Sequence, residues 1–151
     1  MSRLADIPIR IEPLARTDGL GGGVTALLHE IVRLLERLAT VGEPAAIDLR
    51  SLPMSAQDRT ELKSALGEGE VQATLHAEGI SSIQETRVPG VWWVEHRDRQ
   101  GELIAELIDV THVPEILARA SDEIAAGAHA LREQIATAAA ARGMGNRALR
   151  Q

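Results

Sequence analysis

Trp92 and Trp93 are the only aromatic residues in the chain, which has no Phe or Tyr, and they stand next to each other in a stretch that reads as a strand, Val91 to His96. In an extended segment neighbouring side chains point to opposite faces. One indole is therefore expected beneath the helices and the other on the far side of the sheet. Tryptophan is enriched where proteins grip one another, so an outward ring would be a partner contact, together with the adjoining Pro89-Gly90; the other reading is that a terminal arm or the last helix covers that ring. A second candidate contact is Gly67-Glu68-Gly69-Glu70. Its glycines suit a helix end and a tight turn, and Glu68 and Glu70 would offer an acidic patch.

Other reactive types are present without a pattern that joins them. His29, His76, His96, His112 and His129 are scattered, with no helical His-x-x-x-His or Glu-x-x-His pair. A metal site built on His76, His96 and nearby carboxylates would require two strands to pair in register. Glu102 with Glu106, or Asp48 alone, gives no acid–base spacing. Ser55, Ser81 and Ser82 lack the surroundings of an activated nucleophile. Without cysteine the chain by itself can form no disulfide, thiolate nucleophile, Cys-ligated zinc site or conventional iron–sulfur site. No cofactor, metal or catalytic residue is expected, and the chain reads as a binding protein rather than an enzyme.

The elements that must position these residues follow from periodicity. Val24, Leu27, Leu28, Ile31, Leu34, Leu35, Leu38 and Val41 recur at helical spacing, and Gly42 stands at the C-cap. Ala46 to Leu49 reads as a short strand. Ser55, with Asp58 three residues on, opens a second helix that ends at Gly67. Residues 70–78 alternate cleanly as a half-buried strand, a further strand lies near 82–87, and strands at 91–96 and 102–110 flank a turn at 98–101. Pro114 suits the first turn of a helix whose inner edge is Val113, Ile116, Leu117 and Ala120. Ser121 recaps the chain, and a stripe from Ile124 through Leu131 and Ile135 runs to about Ala141, with Gly143 as its stop. The expected fold is α+β: an antiparallel meander of about four to five strands with helices packed mainly on one face. Residues 1–23 are expected as an arm and linker, 24–141 as one domain, and 142–151 as a flexible tail. The arm alternates at Ile7, Ile9 and Ile11, interrupted by Pro8 and Pro13, and ends in the glycine run Gly19 to Gly23.

The chain has 151 residues, with 22 acidic and 16 basic side chains. That balance opposes nucleic-acid binding, where affinity comes from Lys and Arg displacing counterions. It favours a basic partner surface. No apolar run approaches a membrane span and no secretory leader is evident, so a cytoplasmic location is expected.

The order of motifs adds a resemblance. Ile47-Asp48-Leu49 with Leu52-Pro53, Asp58-Arg59, Leu66-Gly67-Glu68-Gly69-Glu70-Val71, Glu85-Thr86, Gly90-Val91-Trp92-Trp93-Val94 and Pro114-Glu115-Ile116-Leu117 follow one another as in the C-terminal conserved region of the HupH/HyaF hydrogenase expression proteins. The resemblance covers roughly residues 24–118. It implies an accessory role in uptake [NiFe] hydrogenase maturation, as an assembly chaperone for the iron–sulfur small subunit before export. The precursor of that subunit and other hydrogenase accessory proteins would be its partners. Members of that family are typically longer, with a substantial N-terminal half. A homodimer would be one way to supply that half's contacts. The alternative role is a metal-handling or enzymatic maturation factor using His76, His96 and nearby carboxylates.

Overall fold

The structure, a computed structural model, describes residues 20–150. The sequence-based expectations for the Ile7–Ile11 stretch and for Gly19 lie outside them. The chain divides into two compact units, one ending at Pro114 and the other beginning at Glu115.

In the first unit, helix α1 (Gly22–Val41) buries Val24, Ile31 and Leu38. These lie seven residues apart, about two turns each, so they form one stripe. The helix stops where Gly42 takes a left-handed conformation (φ 71°) and its N–H reaches Leu38 O at 2.9 Å. The glycine run is not all linker, as the sequence suggested. Gly22 and Gly23 form the first turn of α1, and the Gly21 N–H donates to Glu61 Oε2 at 3.2 Å. First-turn N–H groups have no helical partner in any case, and the bond to Glu61 fixes the point where the chain enters the helix.

Strand β1 (Ala45–Asp48) leads into a 3-10 turn at Leu49–Ser51, begun by Asp48 Oδ1 accepting the Arg50 N–H at 2.9 Å. Helix α2 (Ala56–Leu66) has the expected capping box: Ser55 Oγ accepts the Asp58 N–H at 3.1 Å, and Asp58 Oδ2 accepts the Ser55 N–H at 2.8 Å. The Ser55 N–H and then its hydroxyl, both donating to Asp58 Oδ2, hold that carboxyl below its ordinary pKa. Strands β2 (Gln72–His76), β3 (Ile80–Glu85), β4 (Val91–Arg97) and β5 (Leu103–Val110) follow. All pairings are antiparallel, in the order β1-β5-β4-β3-β2. The α+β class and the meander from β2 to β5 are as the sequence indicated.

The core lies between the two helices and one sheet face. Val24, Ile31, Leu38, Leu62 and Leu66 pack with Val91, Trp93, Ile108 and Val110. Residues facing one another across the ladder share a face, so Trp92, Val94, Ile83 and Leu107 belong to the opposite side.

The second unit contains a 3-10 turn at Glu115–Leu117 and helix α3 (Ser121–Ala148). The helix expected from Pro114 is reduced to that turn. The Ala120 N–H donates to Glu123 Oε2 at 3.1 Å at the start of α3. The helix runs through Gly143, the expected stop, because nothing there takes a left-handed turn. The side chains of α3 are exposed, including Ile124, Leu131 and Ile135.

Candidate functional site

The two tryptophans part as the alternation requires, but neither is free. Trp93 joins the helix-side core and Trp92 takes the opposite face, with 4% and 6% of their surfaces exposed. The expectation that one ring would stand outward as a partner contact is corrected. Burial of a side chain on a sheet depends on what covers that face, and both faces of β4 are covered at these positions. The Trp92 indole N–H is also satisfied internally, donating to Thr111 O at 3.1 Å. Lys63 Nζ lies 4.9 Å from the centre of the Trp93 ring, a cation–π distance.

The remaining candidate contacts do come together, at one end of the sheet. The Gly67–Glu70 segment leaves α2 and is bound to the end of β3. Gly69 N–H donates to Glu85 O at 2.7 Å, Arg87 N–H to Leu66 O at 3.0 Å, and the Gln84 side-chain amide to Gly69 O at 3.3 Å. Only glycine fits at 69, since a Cβ there would lie 2.5 Å from Thr86 O. Glu68 and Glu70 are exposed on this turn.

The Pro89-Gly90 turn lies beside it. Buried Thr86 donates its hydroxyl to Val91 O at 2.9 Å and accepts the Val88 N–H at 3.2 Å, pinning the turn from inside. Gly90 adopts φ 85° against α1, with Leu35 Cδ2 3.3 Å from where its Cβ would be. A shallow pocket of about 390 Å³ opens here, lined by Leu35, Leu38, Ala39, Pro89 and Gly90, with Glu85 and His112 at its polar side. The sequence marked the glycines, the proline and Glu68/Glu70. It did not mark Leu35 and Ala39, which look like ordinary stripe and spacer residues until the Pro89-Gly90 turn is laid against α1.

The two histidines of the alternative reading are separated. His76 pairs across from Ile80, which faces Arg97, whereas His96 faces Ser81, so they occupy opposite sides of the sheet. His96 Nδ1 lies 2.7 Å from Ser81 Oγ. Among the described residues no three His, Asp or Glu side chains gather where they could hold a metal ion.

Sequence reasoning also missed a charged cluster beneath α2. Glu95 and Glu106 face one another on β4 and β5. Arg59 Nε approaches Glu106 Oε2 at 2.9 Å, out of line for a hydrogen bond, and Glu106 is buried. Lys63 and Arg97 each reach Glu95 at 3.2 Å. Burial opposes ionisation of Glu95, but the hydrogen bonds and charges of Lys63 and then Arg97 outweigh it, holding the carboxyl below its ordinary pKa. The signal was available: Glu106 occupies the same alternate positions of β5 as buried Ile108 and Val110. On the far face, beside Trp92, Asp109 is half-buried. Burial raises its pKa, with a smaller opposing effect from His96.

Fold and surface thus describe a small α+β domain whose distinctive face is a glycine-tightened sheet end beside an apolar pocket. The chain belongs to the family described as the HupH hydrogenase expression protein, C-terminal conserved region, which matches residues 23–138. The hydrogenase expression/formation protein HoxQ of Azotobacter vinelandii is 34% identical over 145 residues, covering 86% of this chain and 50% of that protein. The hydrogenase-1 operon protein HyaF of Escherichia coli is 41% identical over 86 residues, covering 55% of this chain and 29% of HyaF. The solved structure of the hydrogenase expression protein HupH from Thiobacillus denitrificans is 40% identical with a TM-score of 0.75, over 78% of this chain and 98% of that one. This chain spans about half the length of HoxQ. Among the described residues no helix is long and apolar enough to cross a membrane.

Proposed function

We propose that this domain is an accessory factor in [NiFe] hydrogenase maturation that holds the iron–sulfur small subunit before export, in the cytoplasm, and acts by binding rather than by catalysis. The observation that carries the reading is the convergence of the Gly67–Glu70 and Pro89–Gly90 turns beside the pocket of Leu35, Leu38 and Ala39. Motifs whose near ends, Glu70 and Pro89, are 19 positions apart in the chain are fixed there by backbone hydrogen bonds, so the surface is formed before a partner arrives. Apolar walls would take a client side chain, and Glu68, Glu70 and Glu85 would meet basic groups around it. Trp92 and Trp93 serve this surface from beneath, by fixing β4 behind the Pro89–Gly90 turn.

The test is recovery of the small-subunit precursor on the immobilised full chain. Ala39 is exposed on α1 and lines the pocket, so Ala39→Arg fills it without disturbing the core. The variant is expected to lose the precursor while unfolding at the same temperature as the parent. Equal recovery of precursor by the two proteins would remove the pocket from the binding surface. Failure of the unaltered chain to retain the precursor would sink the reading itself.

A further inference from the structure

Strand β2 is the last of its sheet, and among the described residues nothing pairs with its outer side. Its ladder to β3 shows which main-chain groups are unused. Glu85 N–H bonds to Val71 O at 2.8 Å, and Ala77 N–H to Gly79 O at 3.1 Å. Odd-numbered residues therefore bond inward, and with Gln72 opposite Gln84, Thr74 opposite Ser82 and His76 opposite Ile80, the even residues direct N–H and C=O outward. Natural sheets blunt such an edge with proline, lysine or a bulge. Gln72 to His76 contains none of these, and its pairing with β3 is regular.

The charges decide between occupants. Exposed Glu70 and Glu78 flank the strand eight positions apart. A second copy pairing antiparallel about Thr74 would bring Glu70 against Glu78 of the other chain at both ends, a like-charge opposition. An extended segment with a basic residue at each end meets the opposite sign at both places. Arg87 does not cancel this, because it packs over Gly67 at the end of α2.

We propose that the outer edge of β2 receives an extended client segment as a sixth, antiparallel strand, selected by basic residues on either side of the pairing stretch. The segment's backbone would bond to Gln72, Thr74 and His76, giving affinity without a fixed sequence, and Glu70 and Glu78 would set its charge preference. The inference rests on the reading that the domain holds a client polypeptide, and it adds an edge beyond the pocket, with Glu70 common to the two.

The experiment uses the full chain and two fluorescent peptides of about nine residues, long enough to span the edge. Both alternate threonine and valine, one with lysine at each end and one with glutamate. Anisotropy should show binding of the lysine peptide and much weaker binding of the other. Thr74→Pro removes an outward N–H that the sheet itself does not use, so it should weaken the lysine peptide by about tenfold or more. Glu70→Lys/Glu78→Lys, both surface changes, should reverse the preference. Binding of neither peptide overturns the proposal, as does undiminished binding by a folded Thr74→Pro chain. If Thr74→Pro does not fold, an unreversed preference in the double variant overturns it. Self-association of the parent chain that Thr74→Pro abolishes would assign the edge to a second copy instead. Ala39→Arg should leave peptide binding unchanged, so failure at the edge and failure at the pocket are read separately.

Discussion

Helix α1 meets the sheet with Val24, Ile31 and Leu38, all buried and all apolar. Helix α2 lies on the same face with Leu62, Ala65 and Leu66, but it adds Arg59 and Lys63, directed to Glu106 and Glu95. The first seat is held by burial, which is strong and non-directional. The second is held partly by charge, which is costly to desolvate but specifies where along the strands the helix sits. Since α2 delivers the chain into the Gly67–Glu70 turn, its placement along β4 and β5 also places that turn. The contrast teaches that the α1 wall of the pocket and the neighbouring acidic turn are positioned by unlike forces.

The largest effect should come from the apolar seat. Ile31→Ala is expected to cost about 2–5 kcal/mol, read from urea unfolding. A loss well under 1 kcal/mol would show that α1 is seated mainly by something else. In the charged seat, Glu106→Gln should cost about 1–3 kcal/mol, because it leaves Arg59 without its counter-charge. The double change Arg59→Met/Glu106→Leu should recover most of that loss, since a buried pair can be replaced by apolar packing at little net cost. If the double change is as destabilising as the single one, the contrast between the seats is wrong.

A third effect separates the seats by pH. The Glu95 carboxyl is held below its ordinary value of 4.5, so its contribution is complete above that value and is lost as pH falls through the lower folded pKa. The gap in unfolding midpoint between the parent and Glu95→Gln should therefore close in acid, whereas the Ile31→Ala gap should persist. The smallest effect has the opposite sign. Asp109 has a pKa raised above 3.8 by burial, so its protonated form suits the fold and the benefit disappears as pH rises through the folded value. Asp109→Asn should raise the melting temperature slightly at pH 7 and leave it unchanged well below 3.8. A fall at pH 7 would mean that the ionised carboxylate has a favourable partner.

Much of this arrangement was legible in the residues themselves. The stripe from Val24 to Leu38, the Ser55–Asp58 cap and the turn between β4 and β5 are local features, and each formed where its spacing placed it. The opposite directions of Trp92 and Trp93 were equally legible, because they follow from the pleat alone. Their burial was not, since it depends on what covers each face, and Thr111 as partner of the Trp92 indole is 19 residues away. The pairing of β1 with β5 and the Arg59–Glu106 contact likewise join distant segments, so no local pattern announces them. Gly22 and Gly23 misled for the reverse reason: their composition suggests a linker, yet a tertiary bond from Gly21 to Glu61 commits them to a helix.

The placement of β1 beside β5 has a consequence for biosynthesis. Of the five strands described, the first made waits for the last, so β1 has no neighbour in this sheet until residues 103–110 have been made. A nascent chain halted before that point would carry Val91 and Trp93 without the Ile108 and Val110 that pack beside them. Such long-range pairing slows folding and leaves apolar surface open to aggregation in the interval. The domain proposed to hold other proteins would then pass through a vulnerable stage of its own.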